Sequence, residues 1–101
     1  MRVARFHHLA GREYREARNW YRARSPGAAQ RFVTEVEQTL QWIESAAEQC
    51  SPGVHGTRWA RVHRYDYVIH FYIVDDARVR ILAVAHPRRR PNYWVRRLTN
   101  P

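Results

Sequence analysis

Apolar residues recur with two different periods along this chain, and the changes of period divide it into elements. Val3 to His7 is short and partly alternating, as a strand requires. From Leu9 to Arg24 the period lengthens. Ala10, Tyr14, Ala17 and Tyr21 recur at steps of four, three and four, which places them on one face of a helix. Arg12, Glu13, Arg15 and Arg18 are assigned to the rest of its circumference. Ser25-Pro26 then breaks and restarts the chain. Ser25 suits the cap of a second helix, and Pro26 suits its first position, where no N–H partner is needed. That helix is expected to run to about Gln49, with Ala29, Phe32, Val33, Val36, Leu40, Ile43 and Ala47 as its apolar stripe. Two amphipathic helices with a tight joint make an αα-hairpin.

Cys50–Thr57 reads as a loop by its Pro and Gly content. Three strand-like runs follow: Arg58–Arg64, Tyr67–Val74 and Val79–His86, joined at Tyr65-Asp66 and Asp75–Arg78. The order β-α-α-β-β-β predicts an α+β domain, with the helical hairpin on one face of a mostly antiparallel four-stranded sheet. A two-residue turn at Tyr65-Asp66 sets Arg64 opposite Tyr67 and Val62 opposite Ile69. A turn at Asp76-Ala77 sets Ile69 opposite Val84 and Phe71 opposite Leu82. One sheet face is then wholly apolar and should pack on the helices, burying Ile69, Phe71, Leu82 and Val84 together with Val36 and Leu40. The other face carries Trp59, Arg61, His63, His70 and Tyr72. With only two helices available, no cover for it is expected from the same chain.

The chain has 101 residues, which suggests one domain, residues 1–101, with a basic tail from Pro87 onward (87–101). Hydrophobic residues make up 45%, enough for one modest core and too many for disorder. No apolar run approaches the roughly 18 residues that span a bilayer. The N-terminus has no apolar signal core, and the single cysteine, Cys50, has no partner for an internal disulfide. A cytoplasmic location is the expectation. The net charge is +9, and all 18 cations are arginine. Arginine matches phosphate and carboxylate oxygens bidentately and stacks on bases, so the expected partner is polyanionic: nucleic acid, an acidic protein, or each in turn.

Cys and His spacing shows no zinc motif, and there is no Gly-rich phosphate loop or nucleophile elbow. No metal, cofactor or small-molecule substrate is therefore expected. A metal-free ribonuclease would need proton-transfer groups and cations to hold the phosphorane charge. His86, Arg64 and Tyr93 are the candidates for that chemistry. A binding role would fall to Trp59, Arg61, His70 and Tyr72 on the free sheet face, with Arg88, Arg89, Arg90 and Trp94 in the tail. Basic residues interleaved with aromatics suit phosphate contact plus stacking. In the tail, Tyr93 and Trp94 are expected to anchor on the domain while the arginines face outward.

Several features taken in order resemble the RelE/ParE family of toxins, also described as plasmid stabilisation proteins. They are Trp20-Tyr21 ending the first helix, Pro26 to Phe32 opening the second, Arg64-x-x-Tyr67 leading into the third strand, and the closing Ala83-Val84-Ala85-His86, Arg88-Arg89 and Pro91-x-Tyr93-Trp94. The resemblance covers nearly the whole chain. It implies a toxin of a type II toxin–antitoxin system that inhibits growth and is neutralised by a cognate acidic antitoxin. RelE-like members cut messenger RNA in the ribosome, and ParE-like members poison DNA gyrase. The absence of lysine before the second strand, and of arginine at Val68, Ile69 and His70, resembles the ParE side. His86 and Tyr93 keep the ribonuclease alternative open, and a non-toxic nucleic-acid-binding module is a third reading.

Overall fold

The computed structural model describes residues 1–100, so Pro101, the last residue of the expected tail, lies outside the described residues. Strand β1 (Val3–Phe6) leads into helix α1 (His8–Arg22), then α2 (Pro26–Ala46). Four strands follow: β2 (Ser51–Pro52), β3 (Arg58–Arg61), β4 (Val68–Ile73) and β5 (Arg78–Ala85). The sheet therefore has five strands rather than four, in the order β1-β5-β4-β3-β2. The extra strand is two residues long and hidden in the Pro/Gly segment. Only β1 and β5 are parallel.

Both helices start on side-chain caps. His7 accepts from the Leu9 N–H at Nδ1, 3.1 Å away, and its Nε2 reaches the Asn100 carbonyl at 2.7 Å. With Nδ1 acting as acceptor, the ring proton sits on Nε2 and is donated to Asn100. Ser25 Oγ accepts from the Ala28 N–H at 3.0 Å, with Pro26 at the first helical position. Past Ala46 the α2 helix tightens into a 3-10 turn over Ala47–Gln49.

The core between helices and sheet is built around Phe32, which is fully buried. Its ring meets Tyr21 at 4.8 Å, Tyr65 at 5.2 Å, Tyr67 at 5.3 Å and Tyr14 at 6.2 Å between centroids. All six residues expected in the interior are buried: Val36, Leu40, Ile69, Phe71, Leu82 and Val84.

Two registers differ from expectation. Ala60 pairs with Ile69, and Val62 N–H bonds to the Tyr67 carbonyl, so the β3–β4 loop holds four residues, His63 to Asp66. Arg64 takes φ +70°, a left-handed conformation that closes the loop and lets Tyr65 fold back onto Phe32. The shift is two residues, so each β3 side chain keeps its expected face. Between β4 and β5 the expected pairing holds from Val68 to His70 and then slips: Phe71 pairs with Ile81 instead of Leu82. This β-bulge turns Ile81 toward the helices and Leu82 to the opposite face.

That opposite face is not bare as expected. Leu82 and Ala83 lie beneath Trp94, itself 2% exposed, with Tyr72, Tyr93, Val95 and Leu98 around them. Trp94 stacks on His70 at 4.4 Å. The 3-10 turn Val95–Leu98 completes this small second core.

Glu13 fastens the cover. β1 ends at Phe6, opposite Ile81, so the outer edge of β5 beyond that point has no strand beside it. Glu13 Oε1 accepts from the Val84 N–H at 3.0 Å, and Arg97 Nη1 donates to the Leu82 carbonyl at 2.9 Å. The two side chains join each other through both carboxylate oxygens at 3.0 Å. The Tyr93 hydroxyl donates to Glu13 Oε2 at 2.6 Å. Contrary to expectation, Glu13 therefore belongs to the inward side of α1, between the buried Ala10 and Ala17.

This packing makes two measurable demands. The Glu13 and Arg97 side chains are 12% and 9% exposed. Removing one member of so enclosed a pair typically costs about 3–5 kcal/mol. Glu13→Leu should lose stability on that scale in urea denaturation and shift tryptophan emission to the red as Trp94 is uncovered. The double variant Glu13→Leu/Arg97→Met should recover part of the loss, and equal losses in the two would refute the role of the pair. The second demand concerns His70, whose burial beneath Trp94 pulls its pKa down to about 4, against a smaller upward pull from Glu13. Between about pH 6.5 and pH 4 the unfolded chain binds a proton that the folded chain refuses, so stability should fall as pH falls through that window. His70→Phe keeps the stack and should flatten this part of the stability–pH curve, by roughly 2 kcal/mol across the window after discounting for partial exposure. An unchanged acid branch would rule this out.

Candidate functional site

The side chains singled out from the sequence fall into three places. The first is the turn that follows β5. Arg89 N–H bonds back to the His86 carbonyl at 3.0 Å, and Arg88 N–H to His86 Nδ1 at 3.0 Å. His86 is exposed and meets the Tyr67 ring edge-on at 5.2 Å. Because Nδ1 accepts, the neutral ring carries its proton on Nε2. Asn92, at φ +61°, turns the chain so that Tyr93 and Trp94 point back to the domain. Arg89 lies over the Tyr93 ring at 3.9 Å and also comes within 3.9 Å of Glu13 Oε2. Arg88 and Arg90 are exposed and have no ion pair among the described residues. The tail aromatics anchor, and Arg88 and Arg90 are presented; contrary to expectation, Arg97 is buried against Glu13 and Arg89 packs on Tyr93.

Two hollows flank this turn. One, of about 700 Å³, lies between α1 and the turn and is lined by Trp20, Tyr21, Tyr67, His86, Arg88 and Arg89 among others. The other, of about 270 Å³, is lined by His70, His86, Arg89, Arg90, Tyr93 and Trp94 among others. His86 is common to both. Tyr93 shares the smaller hollow with it, but the Tyr93 hydroxyl is committed to Glu13. Burial, then the Glu13 bond and charge, push its pKa far above the usual tyrosine range, so it keeps its proton. Tyr67 beside His86 is also held high, first by burial and then by Tyr21.

The second place is the β3–β4 loop. Arg64 is exposed and lines a separate hollow of about 830 Å³ against α2, with Gln30, Arg31, Glu35 and His63. Arg64 and His86 line different hollows and share no hydrogen bond among the described residues. Arg61, at the end of β3, is held by Asp66 at 2.9 Å.

The third place is the sheet face opposite the helices. Trp59 is 37% exposed there, and Tyr72 is half-buried. His70 and Trp94, placed with them by the sequence, are stacked on each other. Contact between Trp94 and a partner would require the tail to lift. Among the described residues, no three His, Cys, Asp or Glu side chains converge as a metal site would need. No described helix is long and apolar enough to cross a membrane.

Three contributors are not assigned to the site from the sequence. Glu13 reads as a solvent-facing acid, although its spacing from Ala10 and Ala17 marks it as facing inward. Arg97 is one of many tail arginines. Trp20, half-exposed with the Arg24 guanidinium 3.3 Å above its ring, forms a wall of the larger hollow.

No curated protein sequence matches the chain. The profile of the family described as ParE toxin of type II toxin-antitoxin system, parDE, matches residues 4–91, from β1 through the arginine run. An α+β fold of two helices on a sheet, closed by an arginine-rich turn, accords with that match, and the chain belongs to the ParE family of type II toxin–antitoxin toxins.

Proposed function

We propose that residues 1–101 act as one toxin domain that inhibits growth by binding and poisoning DNA gyrase in the cytoplasm. A cognate acidic antitoxin neutralises it. The excess of arginine favours such a partner, whose binding segment would order itself on the toxin surface. Family membership supports the gyrase reading over the ribosomal one.

The observation that carries this choice is the scattering of the ribonuclease candidates. Cleavage needs one group to take the 2′-hydroxyl proton, another to protonate the leaving oxygen, and a cation on the phosphorane. Tyr93 is bound to Glu13, and Arg64 lies in a different hollow. His86 is left to work without either. A binding poison needs only the presented cations, Arg88 and Arg90, on a turn of fixed shape.

The test compares His86→Gln with the charge reversal Arg88→Glu/Arg90→Glu. Arg89 is left intact because it packs on Tyr93. Growth, DNA-damage response and transcript cleavage are read in parallel after induction, once circular dichroism has shown both variants folded. His86→Gln should leave toxicity within about threefold, whereas loss of a proton-transfer group would remove about 10²–10⁴-fold. The double reversal should abolish most of the toxicity and the DNA-damage signal. If folded His86→Gln is harmless and transcripts stop being cut, messenger RNA is the target and the gyrase reading fails.

A further inference from the structure

The sheet face opposite the helices is only partly covered by the tail. At the end where β5 begins, the register sets Arg5 of β1 beside Arg80 of β5, and Arg80 beside Tyr72 of β4. These three side chains form one row. They border a hollow of about 250 Å³ that is also lined by Arg78, Arg97 and Leu98.

The other arginines around this sheet are each matched to an oxygen. Arg2 pairs with Glu48, Arg61 with Asp66, Arg78 with Asp75 and Arg97 with Glu13, while Arg58 donates to the Cys50 carbonyl. Arg5 and Arg80 have no ion pair and no side-chain hydrogen bond among the described residues. Like charges directly opposite each other on paired strands repel. Arg80 is half-buried, so solvent screens it incompletely. An anion held between the two guanidinium groups would turn that repulsion into attraction.

We propose that Arg5, Arg80 and Tyr72 form a phosphate-binding site for the backbone of a single-stranded nucleic acid. Guanidinium forks match phosphate oxygens bidentately. The hollow lies below the roughly 300 Å³ at which small-molecule pockets begin, so it fits one phosphate and part of a sugar rather than an enclosed cofactor. The Tyr72 ring beside Arg80, and exposed Trp59 further along the same face, supply surfaces on which neighbouring bases stack. A cationic track with aromatic platforms is the composition of single-strand binders, in which phosphates meet the cations and bases stack on the rings. The site lies roughly 20 Å from His86, six residues along β5 at about 3.3 Å each. It therefore does not depend on whether gyrase or messenger RNA is the target.

The purified chain is titrated against a fluorescein-labelled short oligothymidylate by fluorescence anisotropy at several salt concentrations. Arg5→Gln/Arg80→Gln should weaken binding about tenfold or more and reduce the salt slope by about 0.7, for the one phosphate no longer neutralised. Arg15→Gln/Arg22→Gln, on the exposed side of α1, removes the same charge and should cost much less. Tyr72→Leu should weaken binding with the salt slope unchanged, since stacking releases no counterion. Should the glutamine pair fail to fold, Arg5→Lys/Arg80→Lys keeps the charge and should lower affinity through loss of the fork alone. Equal weakening by the two charge-matched pairs would overturn the proposal. So would full displacement of the oligonucleotide by inorganic phosphate, which would assign the site to a free anion. Binding of polyglutamate, and not of oligothymidylate, through Arg5 and Arg80 would assign it instead to an acidic protein.

Discussion

The outer edge of β5 continues past the end of β1, and the Glu13–Arg97 pair takes the place of the missing strand. The carboxylate accepts from the Val84 N–H and the guanidinium donates to the Leu82 carbonyl, as a neighbouring backbone would. Buried backbone groups left unpaired are costly, so this edge needs partners. Two charges that join each other while satisfying the edge offset much of their own desolvation, which an isolated buried ion pair does not. The same carboxylate then takes the Tyr93 hydroxyl. One helical residue thereby decides that the chain after Pro91 lies on the sheet.

The presentation of the basic turn depends on that fastening. Trp94 sits on His70, Tyr93 sits under Arg89, and the arginine run between them and β5 is left as a short arch with both feet anchored. Arg88 and Arg90 project from an arch of fixed span rather than from a free end. For the binding role proposed above, a fixed span would lower the ordering cost of association.

The helices are readable in the sequence because their apolar positions keep strict period and because Ser25-Pro26 is a strong start signal. The bulge in β5 is not, since Ile81, Leu82 and Ala83 are all apolar and a face reversal among them leaves no trace in the alternation. The four-residue β3–β4 loop is hidden for a different reason. It requires Arg64 in a left-handed conformation that arginine does not favour, stabilised by Tyr65 reaching Phe32 across the sequence. Among site residues, the outward arginines and anchoring aromatics of the tail are legible from composition. The separation of Arg64 from His86 is not, because it follows from that same loop. Glu13 is legible in principle from its place between Ala10 and Ala17, but a single acid in a helix rich in arginine reads as surface charge.

The bonds that fasten the tail join residues far apart in the chain. Glu13 meets Val84, Tyr93 and Arg97 across 71, 80 and 84 positions, and His7 meets Asn100 across 93. Synthesis proceeds from the N-terminus, and segments that fold early do so without the partners still to come. The helical hairpin can close locally as soon as α2 is made, but β1 must wait for β5, and Glu13 must wait for Tyr93 and Arg97, 80 and 84 positions later. A truncated product would have its helices and yet lack the arch, leaving the Leu82–Ala85 edge open to other strands. In this architecture the basic arch is fastened only once Arg97 has been made, after both helices and all five strands.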